Sequence, residues 1–270
     1  MNHEKLLSQG IGLMLVLMLL ATCATPEPTP TLTTAPTEEV AEWDLVFISD
    51  SSGRGVGKRY AVHIESDLGV NVTLHNLAIN TLSAGRVLAA LRGEGDRDPS
   101  VSELPNLIPG AEVVVFYANP IHSISETNPG DWNCVSPSRP YVVDCSPETF
   151  DAYRADLDAI YEQIFALRGD SLIIIRAFDA YNPLYSAWRE HGVLNDCLHC
   201  WENYNGTIHQ AAAAHNVPVA HVYDAFNGPN HDEDPRDKGY IGSDGMHTNE
   251  TGRDVIADLL RELSYEYTVP

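Results

Sequence analysis

Two short blocks carry the residue types that acyl-transfer chemistry needs. Toward the carboxyl end, Gly242-Ser243-Asp244-Gly245-Met246-His247 sets a carboxylate three residues before an imidazole, in a turn ahead of an apolar-periodic segment. An Asp so placed fixes the tautomer of His247 and stabilises its cation, the task of the third member in a Ser-His-Asp triad. The pair needs a nucleophile. Ser51 offers one in Ile48-Ser49-Asp50-Ser51-Ser52-Gly53, where a turn of small residues follows an apolar run. A strand-to-helix turn of that kind presents a serine side chain, with its own N–H, at the positive end of a helix.

The elements that must position these blocks alternate regularly from Trp43 onward. Asp44 to Ile48 reads as a first strand, and Ala61, Ile64 and Leu68 have helical spacing behind it. Val70 to Ile79 is a second strand, Leu82 to Leu91 a helix, and Ala111 to Tyr117 a third strand, β-branched and nearly all apolar. Ser146-Pro147-Glu148 gives an N-cap, a first-turn proline and an acid for the dipole of a helix carrying Phe150, Tyr153, Leu157, Ile160 and Ile164. Ser171 to Ala177, Glu202 to His215, Val217 to Tyr223 and Glu250 to Leu263 then predict strand, helix, strand and helix. Five strands alternating with helices imply a three-layer α/β/α sandwich on a five-stranded parallel sheet.

In such sheets ligands bind beyond the carboxyl ends of the strands. Ser51 and His247 both fall on that side. The long interruptions after strands three and four, 120–145 and 179–201, should rim the same pocket, with Trp132, Tyr141, Tyr181, Tyr185 and Trp188 as candidate lining residues.

With these residues the domain resembles the SGNH, or GDSL-type, hydrolases across positions 43 to 265. Asp50-Ser51 matches the first block of that family, Asn76 to Gly85 the second through Gly85, Tyr117-Ala118-Asn119-Pro120 the third through Asn119, and Asp244-Gly245-Met246-His247 the last. The resemblance implies a flavodoxin-like fold and an esterase in which Ser51 is the nucleophile, His247 the base and Asp244 the orienting acid. It also implies an oxyanion hole of the Ser51 N–H, the Gly85 N–H and the Asn119 amide, with no metal or organic cofactor. Two residues depart from the pattern: Ser49 stands where a glycine is usual, and Pro120 replaces the usual acid after Asn119. The tag that names the family, Gly169-Asp170-Ser171-Leu172, lies instead between a helix end and the start of strand four. At that amino edge of the sheet it reads as a helix cap and turn.

The rest of the chain sets the context. Lys5 and the apolar run Ile11 to Ala21 have signal-peptide proportions, too short to span a bilayer. Leu20-Ala21-Thr22-Cys23 resembles a lipobox, so Cys23 is the expected lipidation site, with 1–22 a lipoprotein-type signal, 23–42 a Pro/Thr-rich tether and 43–270 the hydrolase domain. An exported protein anchored to the membrane by lipid on the extracytoplasmic side follows from this. With 16 Lys+Arg against 38 Asp+Glu the net charge is -22, which repels phosphate backbones and excludes nucleic acid as a partner. A small-molecule or glycan ester is the expected substrate.

Setting Cys23 aside, Cys134, Cys145, Cys197 and Cys200 are an even set in an exported chain and predict disulfides. Rival readings are zinc on Cys197 and Cys200 with His191 or His209, calcium on the acidic run His231 to Asp237, and a ligand- or glycan-binding lipoprotein that keeps the fold without turnover.

Overall fold

The computed structural model describes residues 40–118 and 146–269. Expectations for the signal segment, the tether, Cys23, Asn119, Trp132, Cys134, Tyr141 and Cys145 lie outside them. Five parallel strands form one sheet in the order β2-β1-β3-β4-β5: β1 Glu42–Ser49, β2 Asn71–Ala78, β3 Val113–Phe116, β4 Ile174–Phe178 and β5 Val219–Ala220. The three-layer α/β/α architecture expected from the sequence is what the chain adopts.

Alternation along the strands explains the layers. Val46, Ile48, Val114, Phe116, Ile175 and Ala177 face one side, Leu45, Phe47, Val113, Val115, Ile174 and Phe178 the other, and all are buried. Each such side chain contributes about 1.5–3 kcal/mol of hydrophobic stabilisation. Helices α2 (Ala84–Leu91), α5 (Pro147–Arg168) and α7 (Leu194–Ala214) send Val87, Ile160 and Ile208 into the first face. On the second lie α1 (Val56–Leu68) and α9 (Glu250–Glu262), through Tyr60, Ile64, Ile256 and Leu260. Short helices α3 (Pro99–Ser102) and α4 (Leu104–Leu107) precede β3, and α6 (Tyr185–Glu190) and α8 (Val222–Asn227) follow β4 and β5.

Two expectations need correction. The segment 179–201 is not an irregular loop: it holds α6 and the first turns of α7, because Cys197, Trp201, Tyr204 and Ile208 recur at helical spacing and are all buried. The fifth strand is only Val219–Ala220, since Val222, Tyr223 and Phe226 bury themselves from a helix rather than a strand. The carboxyl tail closes the β4 edge. Arg176, buried in the sheet, donates to the carbonyls of Ser264 and Glu266, and Thr268 exchanges hydrogen bonds with Ile173 and Ile175.

Candidate active site

Strand β1 ends at Ser49, and the chain turns at once into a 3-10 turn over Ser51–Gly53. Asp50 caps it: its buried carboxylate accepts the Ser52 N–H at 2.8 Å and the Ser52 hydroxyl. The Ser51 N–H, first in the turn, meets no acceptor among the described residues. Ser49, in the position where a glycine was expected, is fully buried and donates to the Asp50 carbonyl. Gly53 makes room for it, as a Cβ there would lie 2.2 Å from Ser49 Oγ.

The second block is held by its own hydrogen bonds. Gly242 N–H donates to the His247 carbonyl at 2.7 Å, Ile241 bridges Thr248, and Asn249 caps α9 while its amide donates to the Gly239 and Ile241 carbonyls. Gly252 lets α9 press on this loop, where a Cβ would sit 2.3 Å from the Tyr240 carbonyl oxygen. Thr248 Oγ1 reaches the Ser52 carbonyl at 3.4 Å and Tyr181 donates to the Met246 carbonyl at 3.0 Å, tying the loop to the Ser51 turn and to the end of β4.

These supports bring Ser51 into line with His247, 196 residues away in sequence, and with Asp244 behind it. Ser51 Oγ lies 2.9 Å from His247 Nε2, and His247 Nδ1 lies 2.7 Å from Asp244 Oδ2. An ionised carboxylate only accepts, so Nδ1 carries the proton and Nε2 is left to accept from the serine. Burial raises the Asp244 carboxyl, but the N–H groups of His247 and Met246, both at 3.0 Å, and the imidazole outweigh it and bring it down to about 2. Burial, then the Asp50 and Asp244 charges, push the Tyr181 phenol up, which keeps it a neutral donor.

The remaining predicted residues divide. Gly85 is the second residue of α2, so its N–H is one of those without an intrahelical acceptor. The turn after β2 holds a feature the sequence did not signal. Thr81 takes a left-handed φ of 56°, held by Arg86 donating to its carbonyl at 2.7 Å and Arg97 to its hydroxyl at 2.8 Å. Its N–H meets no acceptor among the described residues. Arg54, three residues past Ser51, donates to Asn80, and Arg54, Asn80, Thr81, Arg86, Arg97 and Asp98 line an open cavity of about 610 Å³.

Tyr181, Tyr185 and Trp188 do not form a pocket lining as expected. All three are buried, Tyr181 against Phe226 and Trp188 against Trp201, so they pack the β4 side and leave almost no surface to a ligand. Ser171 is exposed before β4, beyond the positive-φ cap Gly169, at the opposite end of the sheet from Ser51. The metal readings also change. Cys197 and Cys200 are buried apart from His191, which caps α6, and His209 faces Asp179 instead. Asp234 is engaged by Ser186 and Arg236 rather than turned toward a cation.

No protein-family model matches the chain, and no curated protein matches it. Solved structures do. The lipase Lip_vut3 from a goat rumen metagenome superposes with a TM-score of 0.59 at 19% identity, over 83% of this chain and 98% of its own. An acetyl xylan esterase from Geobacillus stearothermophilus gives 0.54 at 12% identity, over 86% and 99%. A lipase/acylhydrolase from Enterococcus faecalis gives 0.50 at 16% identity, over 84% and 97%. The fold is that of the SGNH hydrolases. At these identities the likeness extends to the fold alone, and within it Ser51 and His247 stand at the carboxyl ends of the strands, where open parallel sheets bind their ligands.

Proposed function

We propose that the protein is an extracytoplasmic serine esterase that hydrolyses acyl esters through Ser51, His247 and Asp244. The observation that carries this reading is the continuous hydrogen-bonded line from Ser51 Oγ through the His247 ring to Asp244. Ser51 Oγ attacks the ester carbonyl as its proton passes to His247 Nε2, giving a tetrahedral oxyanion. Collapse expels the alcohol, which takes the proton from Nε2, and leaves an acyl-Ser51 ester. Water then gives up a proton to Nε2, attacks the acyl carbon and releases the acid, returning the proton to Ser51. Asp244, ionised throughout, stabilises the imidazolium at both stages.

The oxyanion takes the Ser51 N–H and an N–H from the segment after β2, Gly85 or Thr81, with the Asn119 amide as third donor. The cavity that starts at Arg54, three residues past Ser51, carries guanidinium, amide, hydroxyl and carboxylate groups beside Ala78, Ile79 and Pro99, which suits a polar alcohol such as a sugar and an acyl group as short as acetyl. In the same reading residues 1–22 direct export, Cys23 carries a lipid, and the cysteines of the domain form disulfides, in keeping with the burial of Cys197 and Cys200.

Hydrolysis of p-nitrophenyl acetate by the full chain tests the proposal, followed by acetate release from acetylated oligosaccharides. Turnover that disappears in Ser51→Ala and persists in Ser171→Ala is the expected result. A folded wild type without turnover on either substrate would overturn the esterase reading in favour of a binding protein.

A further inference from the structure

A second cluster of chemistry-bearing side chains lies at the other edge of the sheet, where β4 meets β5. Asp179 directly follows β4, and its carboxylate is only 3% exposed. His209 projects from α7 and places Nε2 2.9 Å from Asp179 Oδ2; His221, just before α8, places Nδ1 4.0 Å from the same oxygen. The two imidazoles stack side by side, ring centres 4.9 Å apart and 19° from parallel. One ligand atom from each of the three residues falls within 4.8 Å of the other two.

Three observations point to a cation at this cluster. Asp179 is a buried carboxylate whose only ion-pair partners among the described residues are these two imidazoles. Its other oxygen accepts the Tyr223 N–H at 2.7 Å, which fixes the carboxylate plane as an outer-sphere hydrogen bond fixes a ligand. A positive charge beside a buried carboxylate offsets the cost of withdrawing it from water. The cluster also opens onto a cavity of about 140 Å³ lined by Asp179, Glu202, Asp224, His209, His221 and His231, with the two further carboxylates adding negative potential. Tyr223 stacks on His231 at 3.7 Å in its wall, and its buried hydroxyl has no partner among the described residues.

We infer that Asp179, His209 and His221 bind a divalent transition-metal ion, zinc in particular. One carboxylate and two imidazoles are a ligand set that zinc accepts, and a tetrahedral ion with bonds near 2.0–2.1 Å separates its ligand atoms by about 3.4 Å. The separations of 2.9 and 4.0 Å from Asp179 Oδ2 bracket that value. The fourth position faces the cavity and is left to water. The ion joins the end of β4, the middle of α7 and the start of α8, a staple remote in the fold from the Ser51 turn, which lies on β1. Nothing in this inference depends on the esterase reading.

The test is zinc binding to the tag-free full chain after dialysis against EDTA, by calorimetric titration with zinc chloride and by elemental analysis after gel filtration. Wild type should retain one zinc per chain and melt at a higher temperature with zinc than without. His209→Gln and His221→Gln should each weaken binding by at least about 10-fold, the lower bound for disturbing even an outer-shell partner, and lose the zinc-dependent rise in melting temperature. Asp179→Asn should do the same where it folds; the histidine variants, at partly exposed positions, carry the test where it does not. Failure of wild type to retain zinc, or retention at wild-type strength in both histidine variants, would overturn the site.

Discussion

The carboxyl ends of the strands hold two Asp–His pairs of nearly equal length, and they are built for different work. Asp244 and His247 meet at 2.7 Å with side chains 54% and 35% exposed; Asp179 and His209 meet at 2.9 Å with the carboxylate 3% exposed. Asp244 leans on two backbone N–H groups at an exposed position, so it can orient an imidazole without depending on that ring's charge. Asp179 has one backbone N–H and a carboxylate almost wholly withdrawn from the surface, so a positive charge beside it would stabilise it. The first pair has a serine on the far ring nitrogen; the second has an imidazole stacked on the histidine and facing the same carboxylate oxygen. Burial of the acid and the identity of the third group, rather than the Asp–His contact itself, separate a proton shuttle from a cation site.

The sharpest break between the regions is the nucleophile. Ser51→Ala should lower kcat/KM for p-nitrophenyl acetate by about 10⁴- to 10⁶-fold, with the melting temperature unchanged within a few degrees. Next come the two acids. Asp244→Asn should cost about 10² to 10⁴ in kcat/KM, toward the lower end because the site is open to solvent, with little change in stability. Asp179→Asn should show the opposite profile, losing the zinc-dependent rise in melting temperature while Ser51 still reacts with a fluorophosphonate. Equal losses of kcat/KM in the two variants would collapse the distinction.

Acid titration separates them further. The folded value of Asp244 is depressed to about 2, so its contribution to stability is fully present above the unfolded value near ~3.9 and is lost as pH falls through about 2. The stability difference between wild type and Asp244→Asn should therefore be constant above pH 5 and close between about pH 4 and pH 2, a change followed by circular dichroism. The smallest effect belongs to the tie between the catalytic segments. Thr248→Val, which removes the hydroxyl 3.4 Å from the Ser52 carbonyl, should cost about 1 kcal/mol or less and reduce kcat/KM less than 10-fold.

The sequence made one of these regions legible and hid the other. Buried parallel strands announce themselves as runs such as Val113-Val114-Val115 and Ile174-Ile175, and the order of Ser51, Asp244 and His247 along such a sheet places them on one side of it. The acid and base of that pair are three residues apart, close enough to be read as a unit. Asp179, His209 and His221 come from three elements separated by 30 and 12 positions, and no spacing rule connects them. His209 drew notice only beside Cys197 and Cys200, which point into the core. His209 already falls in the helix expected from Glu202 to His215, but nothing in that helix's pattern ties it to the residue after β4 or to His221. The left-handed Thr81 was equally hidden, because nothing about a threonine advertises positive φ, and the Arg86 and Arg97 that hold it come from beyond the turn.

The central claim is that Ser51, not the serine of the family tag, is the nucleophile. Labelling the full chain with a fluorophosphonate and mapping the adduct by peptide mass spectrometry tests it most directly. A single adduct on the peptide containing Ser51, lost in Ser51→Ala and retained in Ser171→Ala, is the predicted result; an adduct on Ser171, or none at all on a folded protein, would contradict it.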